Sequence, residues 1–115
     1  PAAADLYRLN RSLILGISSA LDIAVNYHGY TREQVADYLA KVGFQSGAAA
    51  DSLYDTLIES PANYLKYYVG FLCFTDLRDA VREDRGDDFS LKEFHKEVLD
   101  IGPAPFPVLE HYLID

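Results

Sequence analysis

The sequence predicts an all-α fold in which five to six helices form an irregular helical bundle. Apolar residues recur at helical spacing, two helix-capping boxes precede such segments, and glycine and proline mark most of the predicted junctions. No competing stretch alternates apolar and polar residues in the way a half-buried strand does. Together these observations place the chain in the all-helical class.

The helical spacing of apolar residues, together with start and stop signals, predicts the first three helices. The first covers about residues 4–27, because its leucines and isoleucine follow helical spacing, and Gly29 stops it. The capping box TREQ at residues 31–34, with Tyr30 and Val35 as its hydrophobic staple, starts a second helix that runs to about residue 41. A third helix covers roughly residues 47–58.

The fourth helix carries the most unusual composition of the chain. Ser60 is expected to cap it and Pro61 to occupy its first position, where a missing N–H costs nothing, and the helix is expected to reach about residue 82. Its first part, SPANYLKYYVGFLCF at residues 60–74, presents aromatic or apolar groups on almost every face. Such a helix must be covered by its own domain, by a larger protein or by a partner.

Two further helices are predicted near the C-terminus. A loop at residues 85–88 leads into a second capping box, SLKE at residues 90–93, whose staple pairs Phe89 with Phe94. The fifth helix ends near Gly102, a proline-rich turn follows, and a short helix covers residues 108–113.

Composition limits the class of partner. The chain has 115 residues, enough for one domain or a piece of one, and a formal net charge of −8. It has no basic cluster, which argues against nucleic acid, and its apolar runs are too short for a membrane span. The single cysteine fits a reducing cytoplasm, the expected compartment, and leaves export open.

The sequence contains no standard metal site and no activated nucleophile. His28, His95 and His111 stand far apart, and neither HExxH nor CxxC occurs. The acidic loop EDRGDD fails as an EF-hand, because Asp87 stands where glycine is needed, so a solvated loop is expected. Cys73 lies within an apolar helix, where a thiol usually packs.

Four residues are candidates for a functional site: Asp22, Asn26, Tyr64 and Tyr67. Asp22 interrupts the apolar face ISSALDIAV, and either it orients a polar group in a cleft or it is a structural ion pair or partly exposed. Asn26 follows one turn later on the same face. The tyrosine spacing is typical of a core stripe, yet a phenol in a dry cleft can also donate to a developing oxyanion.

The order of several short motifs resembles the C-terminal end of the bacterial domain-of-unknown-function 885 family, whose members are predicted HExxH metallopeptidase-like proteins. The matching positions are Asp22, Gly29-Tyr30-Thr31, Pro61, Tyr67, Gly70, Phe94-His95, Gly102 and Pro105-Phe106. Two positions depart from the family pattern. Asn26 stands where the family usually has histidine, and Ser18 and Ser19 stand where it has arginines.

The resemblance implies that residues 1–115 are a single helical domain, the C-terminal fragment of a larger zinc-dependent peptidase. Zinc and an upstream Glu would act in the intact parent on a peptide-like substrate, and this chain, with no cofactor of its own, would be inactive alone. Tyr67 would stabilise the oxyanion, with Tyr64 and Tyr68 as substitutes. The partner would be the upstream catalytic part.

The alternative function is a non-catalytic helical interaction or scaffold module. It would self-associate through the helix that carries Tyr64 to Phe74, so a homodimer is a further candidate partner.

Overall fold

The computed structural model describes residues 2–44 and 47–114. Within these ranges the chain forms six α-helices and no strand, which confirms the all-α prediction. The helices are α1 (Ala2–Asn26), α2 (Arg32–Lys41), α3 (Ala48–Glu59), α4 (Asn63–Arg85), α5 (Leu91–Ile101) and α6 (Phe106–Leu113). No helix in this part of the chain combines the length and apolar character that crossing a membrane requires.

Two compact units divide the chain, residues 1–69 and residues 70–115, and the boundary falls within α4. In the first unit α3 contacts both α1 and α2. Their facing apolar side chains form one core, to which α1 gives Leu21 and Val25, α2 gives Val35 and Leu39, and α3 gives Ala50 and Leu57. Burial of these side chains is the main stabilising term of the unit.

The start of α2 follows the sequence prediction. Thr31 Oγ1 accepts from the backbone N–H of Gln34 at 3.3 Å, and Gln34 Oε1 accepts from the N–H of Thr31 at 2.8 Å. Tyr30 packs against the core cluster that contains Val35, as expected of the staple. Gly29 ends the preceding turn with φ of 71°, a value that favours glycine.

Arg32 connects α2 to α3 on the surface. Its Nη2 lies 2.6 Å from Asp55 Oδ1, its Nη1 donates to the carbonyl of Asp51 at 3.0 Å, and its guanidinium lies over the Tyr54 ring. The hydrogen bond to Asp55 raises the pKa of Arg32 above its ordinary value. Because the side chains are exposed, these ion pairs orient the two helices more than they stabilise them.

The second unit has its own core, in which α4, α5 and α6 meet. The buried side chains are Leu77, Val81, Phe94, Leu109 and Leu113. Arg85 Nη2 donates to Glu97 Oε2 at 2.8 Å and to the carbonyl of Leu113 at 3.2 Å, so one guanidinium contacts all three helices.

The predicted start of α5 is also observed. Ser90 Oγ accepts from the N–H of Glu93 at 3.4 Å, and the rings of the staple pair Phe89 and Phe94 lie 6.4 Å apart. The preceding loop is a 3₁₀ turn, Gly86–Asp88.

The predicted start of α4 is wrong by two residues, because the helix begins at Asn63 rather than at Pro61. Ser60 follows the last residue of α3, and its N–H donates to the carbonyl of Thr56. Pro61 precedes the helix, and Ala62 adopts a φ of 62°, outside the right-handed helical region. A local cap was expected here, but the acceptor for the Ala62 N–H comes from α1. Two smaller differences are that α4 extends to Arg85 and α6 starts at Phe106.

Candidate functional site

Asp22 is buried on α1, with 1% of its surface exposed. Its Oδ1 accepts two hydrogen bonds, from the backbone N–H of Ala62 at 2.9 Å and from Asn26 Nδ2 at 3.0 Å. The partly exposed position that was one alternative is therefore excluded. Both donors are neutral, and the part of the chain that the structure describes contains no ion pair to this carboxylate.

Asn26 extends this contact to the end of α3. Its Nδ2 donates to the carbonyl of Leu57 at 3.0 Å in addition to Asp22. Two residues one turn apart on α1 thus bind the last part of α3 and the residue just before α4. We call this pair, Asp22 and Asn26 with their bonds to Leu57 and Ala62, the junction clamp.

Ala62 is strained at this junction. It is the one non-glycine residue with positive φ among residues 2–44 and 47–114. An L-residue in the left-handed region costs about 1–2 kcal/mol relative to the right-handed helix. Such a conformation persists only where surrounding contacts hold it, and here the hydrogen bond to Asp22 does so.

Three tyrosines follow the junction, and they differ in environment. Tyr64 is partly buried and packs against the core of the first unit. Tyr68 lies against α1, since a Cβ on Gly16 would be only 3.1 Å from its Cζ and Oη. Tyr67 is 58% exposed, with Lys66 Nζ 5.0 Å from its ring centroid. The predicted core stripe therefore holds for Tyr64 and not for Tyr67.

Two buried oxygens at this place have no hydrogen-bond partner among the described residues. They are Ser19 Oγ and Asp22 Oδ2, on neighbouring turns of α1. A buried polar atom without a partner costs free energy, so natural proteins keep few of them. Asp22 consequently uses only one carboxylate oxygen in hydrogen bonding within this part of the chain.

The sequence analysis missed Ser19, Leu57 and Ala62 as members of this site. Leu57 and Ala62 act through backbone atoms, which leave no residue-type signal. Ser19 was noted only as a position that differs from the family pattern, and its side chain is 3% exposed.

The described residues contain no group of three or more His, Cys, Asp or Glu side chains that could hold a metal ion. The site is therefore one of hydrogen-bond donors and acceptors. Its chemistry consists of a buried carboxylate, an amide and an exposed phenol.

Residues 1–113 match the family described as bacterial protein of unknown function (DUF885). The chain belongs to this family. No curated protein and no solved structure matches it. The DUF885 description assigns no activity, so the metallopeptidase-like function remains a prediction.

In this DUF885 chain the predicted site residues fall near one junction of the first unit. Asp22 and Asn26 are hydrogen-bonded to each other, and Asp22 binds the residue two positions before Tyr64. Tyr67 lies one turn further along the same helix. Hydrogen bonds join Asp22 and Asn26 to the turn before α4, and Tyr64 and Tyr67 follow that turn along the α4 backbone.

Proposed function

We propose that this chain is the C-terminal helical part of a zinc-dependent peptidase and that it forms one wall of the substrate cleft. The observation that carries the proposal is the exposed phenol of Tyr67, at the position where the family resemblance expects a tyrosine. This phenol stands on a helix whose start is held by buried hydrogen bonds. A donor that substrate can reach, on a backbone held in place, would stabilise a developing charge once bound substrate excludes water from the phenol.

Tyr67 would donate its O–H to the oxyanion that forms when the peptide carbonyl is attacked. A phenol gains more from a full negative charge than from a ground-state carbonyl, so the bond strengthens in the transition state. The ammonium of Lys66, 5.0 Å from the ring centroid, would make the surrounding potential favourable to that charge.

The zinc that the resemblance implies does not fit the residues described here, which lack a metal-binding group. The contribution of this chain is hydrogen-bond donation and the shape of the cleft. The 115-residue chain alone is expected to be inactive on peptides.

The test is Tyr67→Phe in the full-length protein, with hydrolysis of fluorogenic casein as the assay. Loss of one oxyanion donor should lower kcat by about 10²-fold and leave KM within about threefold. The matched control is Tyr112→Phe, since Tyr112 is also exposed, at 70%, but lies on α6. Unchanged turnover would remove Tyr67 from this role, and a loss in Tyr64→Phe instead would move the role to Tyr64.

A second candidate function is the non-catalytic scaffold module, and the exposure of apolar side chains favours it. In the first unit Tyr67 and Val69 are exposed. In the second unit a groove of about 330 Å³ between α4 and α5 is lined mostly by apolar residues, among them Phe71, Phe74 and Leu99. A surface of this kind is typical of an interface.

Sedimentation of the full-length protein distinguishes this candidate. The scaffold function predicts a dimer that Leu72→Glu dissociates, together with no casein hydrolysis at any protein concentration. Leu72 is a suitable position because it is 41% exposed, so the charge would perturb an interface rather than the core.

A further inference from the structure

We propose that Asp22 and Asn26 are positioning residues, which set the place of the Tyr67 phenol by fixing the start of α4. The inference rests on the proposed function for its catalytic meaning. Its structural part, that the junction clamp determines the first turn of α4, stands on the geometry alone.

An N–H group at the start of α4 is bound by a side chain of another helix. A helix normally satisfies its first N–H groups with a Ser, Thr, Asp or Asn side chain immediately before it. Here the N–H of Ala62, the residue before Asn63, donates to Asp22, which stands 40 positions earlier. The direction in which α4 leaves the junction therefore depends on where α1 holds that carboxylate.

The junction clamp binds both sides of the turn between α3 and α4. Asn26 Nδ2 holds the carbonyl of Leu57 at 3.0 Å, and Asp22 Oδ1 holds the N–H of Ala62 at 2.9 Å. Only residues 58–61 lie between the two bound positions. With both ends tied to one turn of α1, the strained φ of 62° at Ala62 is maintained.

Tyr67 differs from its two neighbouring tyrosines in how its ring is held. Tyr64 and Tyr68 have rings that contact other helices, the first at the core and the second beside Gly16. Tyr67 is 58% exposed, so the position of its phenol depends more on the α4 backbone than on packing of the ring. It stands five residues after Ala62, about 7.5 Å along the helix axis, close enough for a change at the junction to displace it.

A carboxamide at position 22 can supply the oxygen that both bonds use. Asp22 Oδ2 has no hydrogen-bond partner among the described residues, and both bonds of the junction clamp use Oδ1. Asp22→Asn keeps an oxygen acceptor of the same shape, whereas Asp22→Ala removes it. The pair of variants separates loss of the hydrogen bonds from loss of charge.

The first arm of the test measures amide hydrogen exchange in the 115-residue chain. Asp22→Ala should speed exchange of the Ala62 amide at least about tenfold relative to the Phe94 amide of the second unit, and Asp22→Asn by less than about threefold. If Asp22→Ala does not fold, Asn26→Ala replaces it, with an expected increase of at least about threefold. Unchanged Ala62 exchange in the variant that folds overturns the inference.

The second arm uses the full-length protein and casein hydrolysis. Asp22→Ala should lower kcat at least about tenfold with KM within about threefold, and Asp22→Asn should recover most of that loss. In a Tyr67→Phe background, Asp22→Ala should add less than about a twofold loss, because its effect passes through Tyr67. A full additional loss would show that Asp22 acts independently of Tyr67 and would overturn its positioning role.

The two arms also separate this inference from the proposed function. If Tyr67→Phe leaves turnover unchanged, the proposed function fails, and the exchange data alone decide whether the junction clamp sets the start of α4. If Tyr67→Phe lowers turnover but Ala62 exchange does not respond to Asp22→Ala, the proposed function stands and the inference fails.

Discussion

Asp22 Oδ1 lies 2.9 Å from the backbone nitrogen of Ala62, so a carboxylate on α1 caps α4. The arrangement places a buried acidic group at the positive end of a 23-residue helix, where the helix dipole favours it. The N–H of Ala62 therefore depends on tertiary structure, whereas the N–H of Asn63 has a local acceptor in the carbonyl of Ser60.

Asn26 should be sensitive to an isosteric change that removes its donor. Asn26→Asp replaces the amide, which binds Asp22 Oδ1 and the Leu57 carbonyl, by a second carboxylate. We expect the free energy of unfolding at pH 7 to fall by about 2–3 kcal/mol, because two acceptors and two charges then face each other. Urea denaturation of the 115-residue chain measures the loss.

The matched control is Asn10→Asp on the exposed part of α1, which should change stability by less than about 0.5 kcal/mol. Equal effects at the two positions would show that the hydrogen bonds of Asn26 contribute little.

Ala62→Gly should stabilise the chain, against the usual direction of an alanine-to-glycine change. Glycine adopts the observed φ of 62° without the Cβ penalty and keeps the N–H that Asp22 binds. After the entropy cost of glycine is subtracted, we expect a gain of about 0.5 kcal/mol, measured by thermal and urea unfolding.

The control for this predicted gain in stability is Ala20→Gly. Ala20 is exposed within α1, where the same substitution should cost about 1 kcal/mol. A loss of similar size at both positions would mean that Ala62 is right-handed in solution.

Gly16 and Tyr68 should be coupled. Gly16→Ala improves helix propensity by about 1 kcal/mol, but its Cβ would lie 3.1 Å from the phenol of Tyr68. The gain should therefore be at least about 0.5 kcal/mol smaller in the wild type than in a Tyr68→Ala background. A double-mutant cycle by urea unfolding measures this difference, and equal gains in the two backgrounds would exclude the contact.

The second unit should depend on its own core. Leu77→Ala removes a side chain that is 2% exposed and packs among Val81, Phe94 and Leu109, so it should cost about 2–5 kcal/mol. Leu99→Ala in the same unit is the control, because Leu99 is 79% exposed and should cost less than about 0.5 kcal/mol. Hydrogen exchange of α5 amides, such as that of Phe94, reports the effect within this unit.

Local signals in the sequence were enough to predict the helices whose caps are local. The caps at Thr31 and Ser90 are local: the full capping box forms at Thr31, and Ser90 accepts from the N–H of Glu93. Both helices start where they were expected. The start of α4 was misplaced for the opposite reason. Ser60 and Pro61 form a normal helix-start signal. However, Asp22, which is distant in sequence, binds Ala62 in a left-handed conformation, and the helix can begin only after that residue.

In the candidate site, too, the sequence predicted which residues matter but not the distant groups that they contact. The cost of burying a carboxylate made Asp22 conspicuous in the sequence, and helical spacing put Asn26 on its face. The partners of both residues are backbone groups of Leu57 and Ala62, which no residue type identifies. Spacing alone also could not distinguish Tyr64, which packs on the core, from Tyr67, which is exposed.

The long sequence separation of the Asp22 cap has a consequence for the order of folding. The N–H of Ala62 gains its side-chain acceptor only once α1 has docked against the turn between α3 and α4, so the backbone conformation of this residue is fixed late in folding.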